Sequence, residues 1–244
     1  MIQPYYADGF CRIYNADCRD LLDDLGQFDL VATDPPYGVE YQSNRRDDTP
    51  QFDRIEGDDD ASLWAKVMAD VVRINLRRNR HAYVFGPFDL SPLVEAGLVQ
   101  EPVELVWDKS MCGMGDLSLP WGPQHEPIQF LVGVKSKANV SKGEGRLAAR
   151  LRQGSVLTFQ RPNSAGATKH PTEKPVALLR ALIESSSCIG ESVFDPFMGV
   201  GSTLIAAALE GRAAVGIEVD ERYCAIAAER LSRVRTHLDA LGAA

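Results

Sequence analysis

Between Ser192 and Glu218 the chain spells out a strand, a glycine turn, a helix and a second strand that ends on an acid. The first strand, Ser192-Val193-Phe194-Asp195, runs into Pro196-Phe197-Met198-Gly199-Val200-Gly201-Ser202-Thr203. The apolar run Leu204 to Leu209 then reads as a helix stopped near Gly211, because glycine accepts the left-handed backbone that ends helices. Ala213 to Glu218 follows as a strand, and its acid lies nineteen positions after Gly199. A unit of this order and size is a nucleoside-binding half of a doubly wound, mostly parallel α/β sheet, with the acid placed for the ribose hydroxyls. Gly-x-Gly alone would not carry that reading; the whole unit does.

The same residues narrow the nucleoside. A dinucleotide fingerprint wants a third small residue where the helix packs on the strand, and here that place is held by Leu204. No Gly-x-x-x-x-Gly-Lys-Ser/Thr occurs, which disfavours a nucleotide triphosphate. Asp195 at the turn would repel a pyrophosphate but can pair with an ammonium group. That combination favours S-adenosylmethionine, whose tail is an amino acid and a sulfonium.

A second constellation lies far upstream. The apolar run Phe28 to Thr33 reads as a buried strand, and Asp34-Pro35-Pro36-Tyr37 ends it. In open α/β sheets ligands bind beyond the carboxyl ends of the strands. A carboxylate, a rigid backbone and an aromatic ring at that edge suit a planar amino group whose lone pair is delocalised. Asp34 and the Pro35 carbonyl would hold both amino hydrogens and draw the nitrogen towards a tetrahedral, nucleophilic form. Tyr37 would stack on the flat group that carries the nitrogen. The bland alternative is a proline turn after a strand.

With both elements in this order, the chain resembles the amino-methylating DNA methyltransferases of the β arrangement. There the catalytic Asp-Pro-Pro-Tyr/Trp precedes the cofactor segment Asp-x-Phe-x-Gly-x-Gly. His170-Pro171-Thr172-Glu173-Lys174-Pro175 is similar to that family's His-Pro-Thr-x-Lys-Pro element, and Asn15-Ala16-Asp17-Cys18 to its acidic turn at the cofactor adenine. Val106 to Lys109 and Gln124 to Ile128 also sit where members carry related residues. The resemblance runs from about Ile13 to about Leu231. It implies that Asp195, Pro196, Phe197, Gly199, Gly201, Ser202, Thr203 and Glu218 hold the cofactor. It further implies that Asp17 reads the adenine and that His170, Thr172 and Lys174 close over the other end. Cys18, beside Asp17, is a candidate lining residue. Phe197 also reads as ordinary core, and Lys174-Pro175 as a helix start.

The implied reaction is direct displacement of the methyl group onto the exocyclic amino group of a flipped base in double-stranded DNA, with no metal and no covalent intermediate. Aspartate rather than serine at position 34 tilts the target to adenine N6 over cytosine N4. The alternatives are a methyltransferase for another planar amine or amide, in RNA or a glutamine side chain, and a non-catalytic nucleic-acid-binding protein.

The net charge of −8 fits DNA binding poorly, but its distribution is uneven. Lys135, Lys137, Lys142, Arg146, Arg150, Arg152, Arg161, Lys169 and Lys174 are opposed only by Glu144 and Glu173 in the same stretch. An insertion over about 135–169 is therefore a candidate DNA-contacting segment, as is one over about 40–60 with Arg45 and Arg46. The acids Asp58 to Asp60 read as a polar lead-in to a helix from Ser62. Five scattered cysteines without a Cys-x-x-Cys pair fit reduced thiols in a cytoplasm and no zinc site. No signal peptide and no membrane-length apolar run is expected.

A single domain spanning 1–244 is expected, and a homodimer is possible by analogy with the family. The periodicity predicts strands at Phe10–Asn15, Ala82–Phe85, Val103–Trp107 and Ile128–Val134. It predicts helices over Asp17–Leu25, from Ser62 through Ile74, over Leu90–Ala96, from Val176, and from Glu221 to about His237.

Overall fold

Phe28–Thr33 is buried at all six positions, as a strand is when helices cover both faces of its sheet. The computed structural model describes residues 2–36, 61–113, 118, 120–134, 153–162 and 173–242. In chain order its elements are β1 (Tyr6–Ala7), β2 (Cys11–Asn15), α1 (Leu22–Leu25), β3 (Phe28–Thr33), α2 (Ala61–Asp70) and β4 (Leu76–Phe85). Then come α3 (Ser91–Glu95), β5 (Val103–Asp108), β6 (His125–Val132), β7 (Val156–Thr158), α4 (Val176–Ser186), β8 (Ser192–Asp195), α5 (Ser202–Leu209), β9 (Ala213–Glu218) and α6 (Glu221–Gly242).

The strands form one sheet in the order β1-β2-β9-β8-β3-β4-β6-β5-β7. From β2 to β4 every neighbour is parallel. β6 runs antiparallel to both β4 and β5, and β7 pairs parallel with β5. This alternation brings the carboxyl ends of β2, β9, β8, β3, β4 and β5 to one edge, together with the start of β6. The register pairs Asn15 with Glu218, Asp195 with Gly216, Thr33 with Val84, and Asp108 with His125.

Two apolar layers enclose the sheet. On one face Leu178, Leu179, Leu182 and Ile183 of α4 pack with Leu204 and Ile205 of α5 and with Ala227 and Leu231 of α6. On the other, Leu22, Trp64, Val67, Met68, Val71 and Leu93 cover Val31, Val84 and Phe194. Burying a large aliphatic side chain contributes roughly 1.5–3 kcal/mol, so these layers dominate the folding energy.

The doubly wound, mostly parallel sheet matches the sequence reading, with differences at its margins. β4 starts at Leu76 rather than Ala82, because Arg77, Arg78 and Arg80 mask an irregular half-buried stretch. Asn79 there has a positive φ of 61°, and the β3–β4 register slips between Phe28 and Leu30. α5 begins two residues before Leu204, and α6 runs past His237 to Gly242. The expected helix over Asp17–Leu25 is split into a 3-10 turn, Cys18–Asp20, and the short α1. Edge strands β1 and β7, two and three residues long, were too short to show a period. The helix–strand contact uses a small residue on the strand. A Cβ on Gly216 would lie 2.5 Å from the Met198 sulfur and 2.8 Å from Leu204. A large residue on the helix is thus answered by glycine on β9.

Candidate active site

The glycine turn between β8 and α5 is held by the end of β9. The Met198 N–H donates to the Ile217 carbonyl at 3.0 Å, and the Gly199 N–H to Glu218 Oε2 at 3.0 Å. Gly201 precedes α5 with φ +77°, a left-handed conformation that costs an L side chain about 1–2 kcal/mol. A Cβ there would also lie 2.8 Å from the Cβ of Ala227. Glu218, ending β9, accepts at its other oxygen from the Asp220 N–H at 2.8 Å. Burial pushes its carboxyl up to about 7, against the opposing pull of those backbone donors.

Asp195, ending β8, is buried and clamps the turn. It accepts from the Thr33 hydroxyl at 2.8 Å, from the Phe197 N–H at 3.1 Å, and from the Thr203 hydroxyl. Burial pushes it up to about 6, and the charge of Asp34 adds to the rise. Phe197 packs edge-on against Trp64, ring centres 5.2 Å apart, so it joins the core while bordering the turn. Arg230 reaches the turn, but it is engaged by the Val200 carbonyl at 2.7 Å and by Glu173 at 2.6 Å. The donor set is therefore two partly or fully buried acids, hydroxyls and backbone N–H groups. It fits a ribose diol and an ammonium group better than a pyrophosphate, and so fits S-adenosylmethionine.

Asp34 follows β3 directly, one residue beyond the Thr33 that bonds Asp195. Its Oδ2 is 2.5 Å from the Lys174 ammonium, which lies 2.8 Å from Glu126 Oε1. Glu126 Oε2 is 3.0 Å from the Lys109 ammonium. Four charges of alternating sign, from β3, the segment before α4, β6 and the end of β5, thus form a chain across the edge. Lys174 is 8% exposed at its side chain and sits over the Phe85 ring at 5.2 Å; Lys109 lies over the Trp107 ring at 5.0 Å. Burial alone would lower the Lys174 pKa, but Asp34 and then Glu126 outweigh it and hold it above the usual lysine range. Glu126 is held below the usual range because Lys174 and Lys109 outweigh its burial. For Lys109 burial prevails and the pKa falls.

The sequence set Lys174 with the cofactor residues; the structure places its ammonium on the Asp34 carboxylate at the end of β3. Its neighbour Glu173 takes the opposite direction, pairing with Arg230 and accepting from Ser202 Oγ at 3.0 Å. The two adjacent side chains pair in different directions, so one dipeptide ties the glycine turn to Asp34. Asp17 lies at the carboxyl end of β2, beside Glu218, and caps the following 3-10 turn. Its carboxylate accepts from the Arg19 N–H at 2.9 Å and pairs with the Arg19 guanidinium at 2.5 Å, which holds it below the usual range. Cys18 is 4% exposed and packs into the core, with its thiol pushed up to about 12 by burial. It is a core residue first.

Tyr37, His170, Thr172, Arg45, Arg46, Lys135, Lys137, Lys142, Arg146, Arg150, Arg152 and Lys169 lie outside the described residues, as do the acids at 58–60. Glu126, Lys109, Glu173 and Arg230 had no role in the sequence reading. Their one signal was position: the two segments holding Glu126 and Lys109 sit where the family carries related residues.

Comparison with known proteins gives the family and the fold. Residues 28–229 match the family model of N6/N4 methyltransferases, described as DNA methylase. The Type II methyltransferase M2.DpnII of Streptococcus pneumoniae is 43% identical over 252 residues, spanning 95% of this chain and 93% of that protein. The DNA adenine methyltransferase YhdJ of Escherichia coli is 25% identical over 242 residues, 87% of this chain and 78% of YhdJ. The crystal structure of the M1.HpyAVI–SAM complex superimposes with a TM-score of 0.66 at 23% identity, covering 91% of this chain and 98% of that one. The fold is that of the S-adenosylmethionine-dependent DNA methyltransferases, and the family uses S-adenosylmethionine. The chain belongs to the N6/N4 DNA methylase family.

Proposed function

We propose that the protein methylates the N6 amino group of adenine in duplex DNA. The observation that carries this reading is the position of Asp34: at the end of β3, one residue from the Thr33 that bonds Asp195 of the glycine turn. S-adenosylmethionine supplies the electrophilic methyl group when bound. Glu218 accepts from its ribose diol, and Asp195 faces its amino-acid end. Asp34 and the Pro35 carbonyl accept the two hydrogens of the target amino group, which turns the nitrogen lone pair towards the methyl carbon. A stacked, paired base cannot bring that nitrogen to the sheet edge, so the base is flipped, and Tyr37 stacks on it.

Aspartate at position 34 and the similarity to a named adenine methyltransferase favour adenine over the N4 amino group of cytosine. The DNA would lie over the same edge. The connection from β5 to β6 leaves this edge and presents Trp121, 84% exposed, and Met111, 72% exposed. Its base is tied by the Lys109 N–H to the Gln124 carbonyl at 2.9 Å and the Gly113 N–H to the Pro123 carbonyl at 3.0 Å. An indole held out at that place suits stacking on an unpaired base. The basic residues of the two insertions would follow the phosphates.

The test is mass spectrometry of product nucleosides after incubation with duplex DNA and isotopically labelled S-adenosylmethionine. Labelled N6-methyladenine is expected from the wild type and none from Asp34→Ala, with cofactor binding by the variant retained. Labelled N4-methylcytosine would replace the base and keep the mechanism. Methylated RNA or protein with unlabelled DNA would overturn the reading.

A further inference from the structure

Three acids converge near the end of β3: Asp34 itself, Asp195 on β8 and Glu126 on β6. Asp34 lies just beyond β3 and Asp195 ends the neighbouring β8; Thr33, which donates to Asp195, adjoins Asp34, and the charge of Asp34 makes Asp195 harder to ionise. Adjacent carboxylates of this kind tend to retain a proton, and a protonated Asp34 presents an O–H where the target amino hydrogen needs an acceptor. Lys174 is placed to prevent that. It arrives from the segment before α4, buried, with Asp34 Oδ2 at 2.5 Å. Glu126 at 2.8 Å fixes its other side and is itself fixed by Lys109 at 3.0 Å.

We propose that Lys174, braced by Glu126 and Lys109, is a positioning residue that keeps Asp34 ionised and holds its carboxylate in the orientation the target amino group requires. The inference rests on reading Asp34 as the amino-group acceptor. It departs from the cofactor role that the sequence context suggests for Lys174, and it adds two residues with no assigned part in the reaction. The chemistry favours it. Methyl transfer places positive charge on the amino nitrogen, and an ionised Asp34 stabilises that charge as it forms. The cation beside Asp34 lowers its proton affinity, so it stays a hydrogen-bond acceptor and does not compete for the proton before transfer. Glu126 offsets the extra positive charge, which keeps Lys174 from repelling the nascent cation, and Lys109 keeps Glu126 from drawing Lys174 away. The charged groups that face this cluster include Lys174 and Asp195 beside Asp34, Glu126 on Lys174, and Lys109 on Glu126, with Arg161 acting on Lys109.

The experiment reads Asp34 directly and through turnover. The full-length protein is labelled with 13C at aspartate side-chain carboxyls, and the Asp34 resonance is assigned by its loss in Asp34→Asn. In Lys174→Met the Asp34 titration midpoint is expected to rise by about one pH unit or more, since an adjacent opposite charge moves a carboxylate by about that much. The acidic limb of kcat should move with it, with S-adenosylmethionine affinity within about twofold of wild type. Lys174→Arg should return the limb most of the way. Lys109→Met leaves the Asp34–Lys174 pair intact and should move the midpoint in the same direction by less, so it serves if Lys174→Met does not fold. An unmoved midpoint in these variants would overturn the proposal. So would a loss of cofactor affinity that matches the loss of kcat while the limb stays in place. A wild type that methylates no DNA amino group, yet shows the midpoint shift, would sink the reaction and leave the charge chain standing.

Discussion

At the scale of single residues, the two acids of the glycine turn are tuned by burial more than by any partner. Glu218 has a folded pKa near 7, raised by burial and only partly restrained by the Asp220 and Gly199 N–H groups. If its carboxylate accepts from the ribose diol, the ionised form binds better, because a charge-assisted hydrogen bond is stronger than a neutral one. S-adenosylmethionine affinity should therefore rise as pH goes from about 6 to about 8, measured by calorimetry at fixed ionic strength. Glu218→Gln should weaken binding by about 1.5–3 kcal/mol at pH 8 and flatten that rise. A wild-type affinity independent of pH over this window would show that the diol is held elsewhere. Glu218 and Asp195 were legible as candidates because acids ending neighbouring strands have few structural excuses. The direction of Lys174 towards Asp34 was not legible, for a physical reason. A flexible four-carbon stem does not reveal its direction in sequence, and the neighbouring Glu173, which does face the glycine turn, shares its motif.

At the scale of elements, the sequence carried most where the periodicity was strong, and failed where an element was short or charged. β3, β8, β9, α4 and α5 are apolar, continuous and central, and each was legible within two residues or so. β4 was half hidden because its early part carries Arg77, Arg78 and Arg80 around a positive-φ Asn79. The spacing at α5 was read as lacking the small residue of a dinucleotide fold; the close approach exists, with its glycine across the interface on β9. That contact makes a prediction. Gly216→Ala places a methyl group against the Met198 sulfur and Leu204, and overpacking of this kind costs about 1–3 kcal/mol. Thermal unfolding should detect the loss, and cofactor affinity should fall too, since Met198 and Gly199 belong to the turn. An unchanged midpoint would mean that Leu204 repacks at no cost. The β5–β6 connection argues in the other direction, because its Trp121 contributes exposure rather than packing. Trp121→Ala should leave thermal stability within about 0.5 kcal/mol and weaken binding to duplex DNA by about 1–3 kcal/mol. Equal DNA affinity in the two proteins would remove the stacking role.

At the scale of the whole molecule, the sheet separates chemistry from support along its strands. Every candidate functional acid sits at the edge where β2, β9, β8, β3 and β4 end, an order of neighbours that no local pattern in the sequence states. The opposite ends are tied by a second charged network with no opening onto that edge. Asp29, near the start of β3, pairs with Arg77 at 2.7 Å and Arg80 at 3.2 Å, and accepts from the Ser192 hydroxyl at 2.9 Å. Arg80 also pairs with Glu191. Burial alone would raise the Asp29 pKa, but the Ser192 donors and then the two arginines outweigh it and hold it below the usual carboxylate range. A depressed carboxyl contributes stability that is present above its unfolded pKa and lost as pH falls through the folded one. Asp29 therefore supports the fold at neutral pH and gives that support up below about pH 4. Arg80→Met leaves Asp29 to the half-exposed Arg77 and to Ser192, and takes the arginine from Glu191, and should destabilise the protein by about 1–3 kcal/mol. The same substitution should leave the S-adenosylmethionine dissociation constant of the folded protein unchanged, because Asp29, Arg80 and Glu191 lie away from the edge that holds the candidate site. Denaturant unfolding and calorimetry on one preparation decide the matter. Lost stability with intact cofactor binding fits a sheet whose two ends do different work, whereas a matching loss of cofactor affinity would mean that the far network also sets the geometry of the site.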